Sequence, residues 1–435
     1  MLLPARRLLL ATGLLAMLAL APALRPDWAP AWFALATLLV LLAAGDAAAS
    51  WWEHAPSASR KLEHALPLGE HSRVTLQLAW HGRRTRPAEV SDHTPGAFEQ
   101  QGMPARIQLR EGTLGTITYR LRPIARGEHR FGPIAVRVGS PLGLWQRQHL
   151  IAADNTVRVY PNFTVYSRHA LLAADARTAA SGVLKRRRRG QGLDFEQLRE
   201  YREGDTPRQI DWRATARLGK LISREYQDER DQRIILMVDA GRRMGARDGT
   251  LSHFDHALDA LLLLAWVGLR NGDAVGLHTL GGHQRMLAPH KSRATLARIL
   301  DAVYDLEPTL EASDFEAAAQ QLLARDKKRA LVVILTNLRD EDDENLLSAV
   351  RLLGSRHLVL VASLRERALD EACASPSHTT QGLALHGAAL DYRQRRDASF
   401  RRLRQAGVLC LDATPESLAI TTVNRYLAVK AEGRL

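Results

Sequence analysis

The sequence predicts a chain in three parts. These are an N-terminal two-helix transmembrane hairpin, a β-sandwich domain, and a C-terminal α/β domain built on a mostly parallel sheet. Three observations predict this. Two uncharged apolar runs, residues 8–24 and 31–45, open the chain. Between residues 60 and 162 apolar and polar side chains alternate, the period of half-buried strands. From residue 232 onward, short apolar runs alternate with longer stretches of helical patterning, the mark of a sheet covered on both faces. The expected boundaries are 1–52 for the hairpin, 60–162 for the sandwich, 163–231 for a linker with a dense polar block, and 232–435 for the α/β domain.

Arg6 and Arg7 precede the first apolar run. A short apolar run after two arginines also fits a secretory signal, which leaves a secreted protein as an alternative. The second run argues against it, because two apolar runs around the break Arg25-Pro26-Asp27-Trp28-Ala29-Pro30 form a helical hairpin. Each run falls a little short of the ~20 residues that span a bilayer. The second helix is therefore expected to continue past Asp46 to the interfacial pair Trp51 and Trp52. Basic residues favour the cytoplasmic side, so two crossings leave the remaining ~380 residues in the cytoplasm, anchored to the inner (plasma) membrane.

In the β-rich segment Val74, Leu76, Leu78 and Trp80 alternate with polar neighbours, as do Ile117, Tyr119 and Leu121, then Ile134, Val136 and Val138, and lastly Val157 and Val159. Turns at Arg126-Gly127 and Pro141-Leu142-Gly143 punctuate them, which points to antiparallel strands in a sandwich. His64, His71, His81 and His93 lack ligand spacing and are expected on the surface.

Composition bounds the function. With 46% hydrophobic and 25% charged residues the chain is globular. Cys373 and Cys410 are too few to staple several domains or to form a cysteine zinc cage, and are read as buried thiols in a reducing compartment. Lys and Arg total 60 against 47 Asp and Glu, giving +13 and a pI near 10.2. That surplus suits nucleic acid, an acidic partner or an anionic membrane face, or it reflects a general bias toward arginine. The run Lys185-Arg186-Arg187-Arg188-Arg189 is a candidate anion contact, but no aromatic residues interleave it, and a solvated loop after a helix at 170–180 is the simpler reading.

The block that follows is the densest in polar residues. Asp205 or Thr206 suits the N-cap of a helix starting at Pro207, on which Arg208 and Asp211 can pair. Gly219-Lys220 then turns into a strand at 221–226. The signature Gly192, Phe195, Leu198-Arg199-Glu200-Tyr201, Gly204-Asp205, Arg208, Ile210-Asp211-Trp212, Ala216-Arg217 and Arg224-Glu225 resembles that of domain of unknown function 58. The resemblance extends over the whole chain. It implies a C-terminal domain like von Willebrand factor A, Rossmann-like in its sheet, and a role as a membrane-bound partner of MoxR-type AAA+ ATPases, without supplying a substrate.

In the C-terminal part, strands are expected at 233–238, 274–280, 330–335, 358–362 and 408–411. A helix capped by Ser252 with Asp255 in a capping box follows the first strand, and a last helix spans 415–429. Ligand sites in such sheets lie at the carboxyl ends of the strands, where Asp239 and Asn337 fall. In von Willebrand A domains that edge holds a divalent cation through Asp-x-Ser-x-Ser, a distant Thr and a later Asp. Here Gly241 and Arg243 stand in place of the serines and Asn337 in place of the Asp, with Thr309 or Ser313 as the distant candidate. Hard cations need several oxygen ligands, so no metal and no cofactor is expected. The Arg243 guanidinium is instead expected to take the cation's space and pair with Asp239. His253 and His256 share a helix face without a third ligand and are read as surface residues.

The expected function is a non-enzymatic, membrane-anchored adaptor that binds a MoxR-type AAA+ ATPase or its client through Asp239, Gly241, Arg242, Arg243 and Asn337. No small-molecule substrate is identified. The alternatives are a nucleic-acid or acidic-partner binder using 185–189, or a hydrolase using Asp205, Asp211 and Asp239.

Overall fold

The computed structural model describes residues 1–435 except 83, 164–193, 203–209, 228–231, 250, 340, 342, 375–378 and 435. The helix expected at 170–180, the basic run 185–189 and the helix start at Pro207 lie outside the described residues. The chain divides into two compact units, Met1–Tyr160 and Pro161–Leu435.

The first unit opens with strand β1 (Leu2–Pro4), followed by the helix Arg6–Leu18, its continuation Leu20–Leu24, the turn Pro26–Trp28 and the helix Ala29–Trp51. Residues Arg6–Leu24 and Pro26–Trp51 form two helices long and apolar enough to cross a membrane. Leu9, Leu14, Phe33, Leu38 and Leu41 stand exposed around them. A helix apolar on every side needs either a surrounding protein core or lipid, and the first unit provides no such core here.

The remaining strands of this unit are β2 (Ser57–Lys61), β3 (Ala65–Pro67), β4 (Ser72–Ala79), β5 (Arg86–Asp92), β6 (Phe98–Gln101), β7 (Ala105–Leu109), β8 (Leu114–Pro123), β9 (Gly127–Arg130), β10 (Ile134–Gly139), β11 (Trp145–Ile151) and β12 (Thr156–Tyr160). They form a five-stranded sheet β1-β11-β10-β5-β7, a four-stranded sheet β2-β4-β8-β6 and a small sheet β3-β12-β9, all antiparallel except β3–β12. The alternation read from the sequence is realised: Val74, Leu76 and Leu78 on β4, Tyr119 and Leu121 on β8, and Val136 and Val138 on β10 are buried, each worth roughly 1.5–3 kcal/mol. A polar pin ties the two larger sheets together. Arg60 of β2 pairs with Asp92 of β5, and the Tyr119 hydroxyl of β8 donates to Asp92 Oδ2 at 2.6 Å. His64, His71, His81 and His93 are exposed, as expected.

The hairpin is bolted to this sheet. Leu2 pairs with Arg147 through β1 and β11, so the N-terminus lies at the end of the hairpin where the chain leaves the second helix. Asp46, buried within that helix, accepts from Ser140 Oγ at 2.5 Å and from the Leu142 and Leu144 amides at 2.8 and 3.1 Å. The Trp145 indole donates to the Ala43 carbonyl at 2.8 Å, and Arg147 donates to the Ser50 carbonyl at 3.0 Å.

The second unit begins with the antiparallel pair β13 (Asp194–Glu200) and β14 (Ile222–Gln227), joined through the helix Trp212–Leu218. Strand β13 was not expected. Asp211 caps the helix, accepting from the Arg213 and Ala214 amides at 3.0 Å, and Gly219 ends it at φ 66°. Asp205 and Thr206, the caps expected for a helix starting at Pro207, lie outside the described residues.

The core of the unit is a six-stranded sheet formed by β15 (Arg233–Asp239), β18 (Ala274–Leu280), β19 (Met286–His290), β20 (Leu331–Thr336), β21 (Leu358–Leu364) and β22 (Leu409–Ala413), in the order β19-β18-β15-β20-β21-β22. All neighbours are parallel except the edge strand β19. A two-stranded ribbon, β16 (Arg247–Asp248) and β17 (Leu251–Ser252), sits beyond β15. Successive residues of β15 face opposite sides. Ile234, Leu236 and Val238 pack with the helices His253–Arg270, Arg293–Val303 and Pro415–Ala431. Ile235 and Met237 pack with Phe315–Arg325, Asp343–Gly354 and the end of Thr380–Gln405. Ser252 and Asp255 form the expected capping box.

Candidate functional site

The carboxyl ends of β15, β20 and β21 bring the candidate residues together. Strands leave β15 to β18 on one side and β20 on the other, so the edge at Asp239 is a topological switch point. Asp239 ends β15 and is buried. Its Oδ1 accepts from the Gly241 amide at 2.8 Å and from Ser313 Oγ, and its Oδ2 accepts from Thr336 Oγ1 at 2.6 Å. A buried carboxylate is tolerable only when its lone pairs are met in this way.

Gly241 is required by crowding. A Cβ there would run into Ser313 Oγ and lie 3.0 Å from the Glu311 carbonyl. A serine side chain at 241 has no room while Ser313 holds Asp239. Of the two candidates for a distant hydroxyl, Ser313 reaches Asp239, whereas Thr309 Oγ1 donates to the Gly281 carbonyl at 2.8 Å.

Arg242 and Arg243 form the short turn after β15. Both guanidiniums meet Glu341 Oε2, at 3.0 and 2.9 Å. The ion pair foreseen between Arg243 and Asp239 gives way to hydroxyl and amide donors on Asp239 and to Glu341 on Arg243. Arg243 is nearly buried while Arg242 and Glu341 are exposed, so one face of this cluster is fixed and the other is open. The enclosed space between Asp239, Arg243 and Ser313 is about 10 Å³, room for no more than one water. Six oxygen ligands cannot gather around a cation there, and the donor set does not suit one. Among the described residues, no three His, Cys, Asp or Glu side chains are placed to hold a metal.

Asn337 lies just beyond β20, buried, and joins a different network. Its Nδ2 donates to Glu366 Oε1 at 3.1 Å and toward His253 Nδ1 at 3.2 Å. His253 Nε2 lies 3.0 Å from Asp248 Oδ2, which assigns the ring proton to Nε2. Burial opposes ionisation of Glu366, but the Asn337 bond and the Arg339 guanidinium, 2.6 Å away, outweigh it and hold its carboxyl below the usual range. His253 and His256 are buried, not surface residues. Their helix packs apolar side chains on most of its circumference, so the histidines at its start are enclosed with it. Burial lowers the His256 pKa.

The signature residues occupy the β13–helix–β14 element. Arg199 lies on β13 and donates to the Glu200 carbonyl, the Tyr201 amide bonds the Leu221 carbonyl at 2.8 Å, and Asp211 is the cap. Trp212 and Arg217 are exposed on the short helix. Arg224 and Glu225 pair by backbone with Leu198 and Gln197. Gly204, Asp205 and Arg208 lie outside the described residues. Sequence reasoning missed Thr336 and Glu341; a Thr directly before the candidate Asn337 was the one available signal.

A relative from Bacillus subtilis (strain 168), the uncharacterized protein YeaD, is 24% identical over 264 residues, 59% of this chain and 61% of its own length. This chain therefore spans about three fifths of that relative. Proximal thread matrix protein 1 from the mussel byssus is 11% identical, with a TM-score of 0.27 over 45% of this chain and 46% of its own. A Salmonella alpha-2-macroglobulin reacted with methylamine is 17% identical, with a TM-score of 0.19 over 24% of this chain and 7% of its own. At these scores neither structure bears on the fold described above. Residues 197–385, which hold most of the signature and the whole Asp239 edge, match the family model for proteins of unknown function DUF58.

Proposed function

We propose that this protein is a membrane-anchored adaptor whose α/β domain binds a MoxR-type AAA+ ATPase through the edge around Asp239. The observation that carries the reading is the Arg242–Arg243–Glu341 cluster over a closed Asp239. In a von Willebrand A domain the corresponding edge presents a metal ion to a partner carboxylate. Here a fixed guanidinium takes the cation's part, and the exposed Arg242 and Glu341 are free to exchange partners. The strand order, 3-2-1-4-5-6 by appearance within the sheet with one antiparallel edge strand, is consistent with such a domain. The signature element adds exposed Trp212, Leu218 and Leu221, apolar side chains suited to a docking surface. On this reading the hairpin crosses the inner membrane and both soluble parts face the cytoplasm, where the ATPase resides.

The test is affinity purification of the tagged full-length protein from solubilised membranes with a non-hydrolysable ATP analogue, read by mass spectrometry. The reading predicts enrichment of an AAA+ ATPase, lost on Arg242→Glu with Ala312→Arg, two exposed rim positions. An ATPase retained equally by that variant removes the edge from the account. No ATPase under mild crosslinking removes the adaptor.

A further inference from the structure

We propose that the cavity where the first apolar helix meets the five-stranded sheet binds the phosphodiester of an anionic phospholipid. The cavity encloses about 570 Å³. Five arginines line it: Arg6 and Arg7 from the first turn of the helix, Arg86 from β5, Arg106 from β7 and Arg137 from β10. Glu89 is the one carboxylate on its wall, shared at 3.4 and 3.5 Å between Arg106 and Arg137. Arg86 is bound from outside the cavity by Glu53, with its Nε at 2.9 Å. Among the described residues no carboxylate bonds Arg6 or Arg7, and both are exposed. The wall thus carries a surplus of positive charge that the protein does not neutralise.

Two further features point to a phosphate diester. The helix Arg6–Leu18 starts at Ala5, which offers no side-chain cap, so its first amides and dipole add to the positive field. Guanidiniums hold phosphate oxygens through paired donors, and several converge here from different strands. The location selects lipid over free phosphate. The cavity lies at the end of the hairpin where the second helix finishes at the exposed Trp51 and Trp52, aromatic residues of the kind that mark headgroup level. On the same hairpin, a groove of about 190 Å³ lined by Leu14, Leu18, Leu35 and Leu39 among others offers a seat for an acyl chain. Basic pockets beside membrane helices suit anionic headgroups by this physics.

The inference rests on the hairpin spanning a bilayer, and the experiment separates the two. Full-length protein in detergent is offered equal phosphatidylglycerol and phosphatidylcholine, and retained lipid is counted by native mass spectrometry. Retention of phosphatidylglycerol in preference is expected. Arg106→Gln with Arg137→Gln, two strand positions that do not flank the membrane helix, is expected to weaken it on the order of tenfold. Arg120→Gln with Arg130→Gln removes the same charge at exposed positions away from the cavity and is expected to leave binding unchanged. Equal retention of both lipids, or equal weakening in both variants, overturns the site. Displacement by millimolar inorganic phosphate alone shows a bare-anion site and overturns the lipid assignment. Alkaline extraction of the chain from membranes overturns the anchor, and the lipid site with it.

Discussion

Asp239 is buried, charged and satisfied by three donors, and each donor comes from a different segment. Removing one leaves the carboxylate under-bonded in a low-dielectric setting, where a hydrogen bond to a charged group is worth about 1.5–3 kcal/mol. Thr336→Val is expected to lower stability by about that amount, measured by chemical denaturation, with no change in chain topology. Gly241→Ser is expected to destabilise as well, by roughly 1–3 kcal/mol, because the added atoms meet Ser313 and the Glu311 carbonyl. If Gly241→Ser is neutral, Ser313 does not occupy the position described. At this scale the sequence allowed Asp239 to be found, as the polar residue ending an apolar strand. Of its side-chain partners it offered Ser313 only as one of two candidates and missed Thr336. Ser313 and Thr336 lie 74 and 97 residues away, and Glu341 lies 98 from Arg243. Spacing along a chain carries no information about contacts made by a folded sheet edge.

Among the elements, the parallel strands and the apolar helices were legible because their patterns are long and uniform. The apolar run at 233–238 could only be a buried strand, and Ala29–Trp51 extends past Asp46 to the tryptophans as expected. The missed strands have weak signals for stated reasons. Strand β19, Met-Leu-Ala-Pro-His, contains a proline that only an edge strand tolerates. Strand β13, Asp-Phe-Glu-Gln-Leu-Arg-Glu, is too charged to show alternation. Asp46, which the sequence places inside the second apolar helix without a role, is that helix's clamp to the β10–β11 turn. Asp46→Ala strands three donors and is expected to cost on the order of 3 kcal/mol. Thermal unfolding in detergent measures this, with faster proteolysis at residues 140–145 as the accompanying sign. An unchanged midpoint would mean that the hairpin and sheet hold together without the clamp.

For the whole molecule, pH is the simplest probe of the α/β unit. His256, His278 and His357 all have pKa values lowered by burial. As pH falls below the ordinary histidine value near 6.5, the unfolded chain takes up protons that the folded chain refuses, so stability declines. Glu366, held below its usual range, adds a loss of the same sign at still lower pH, as its carboxyl protonates and its bonds are given up. The urea midpoint at pH 5.5 is expected to lie below that at pH 7.5, and His357→Gln is expected to shrink the difference. A midpoint that does not move between those values would place these histidines in water. The two apolar helices, the antiparallel strands and the mostly parallel sheet, by contrast, were readable from pattern alone, since apolar runs, alternation and α/β periodicity each extend over many residues.

The central claim is that the edge around Asp239 is a protein-binding surface. The most direct measurement places a photo-crosslinking amino acid at the exposed Ala312, beside Arg242, in the full-length chain in living cells. A second chain carries it at Arg120, on the β domain. Illumination and mass spectrometry are predicted to give an adduct with an AAA+ ATPase from position 312 and none from position 120. No ATPase adduct at 312, or an equal one at both positions, would contradict the account.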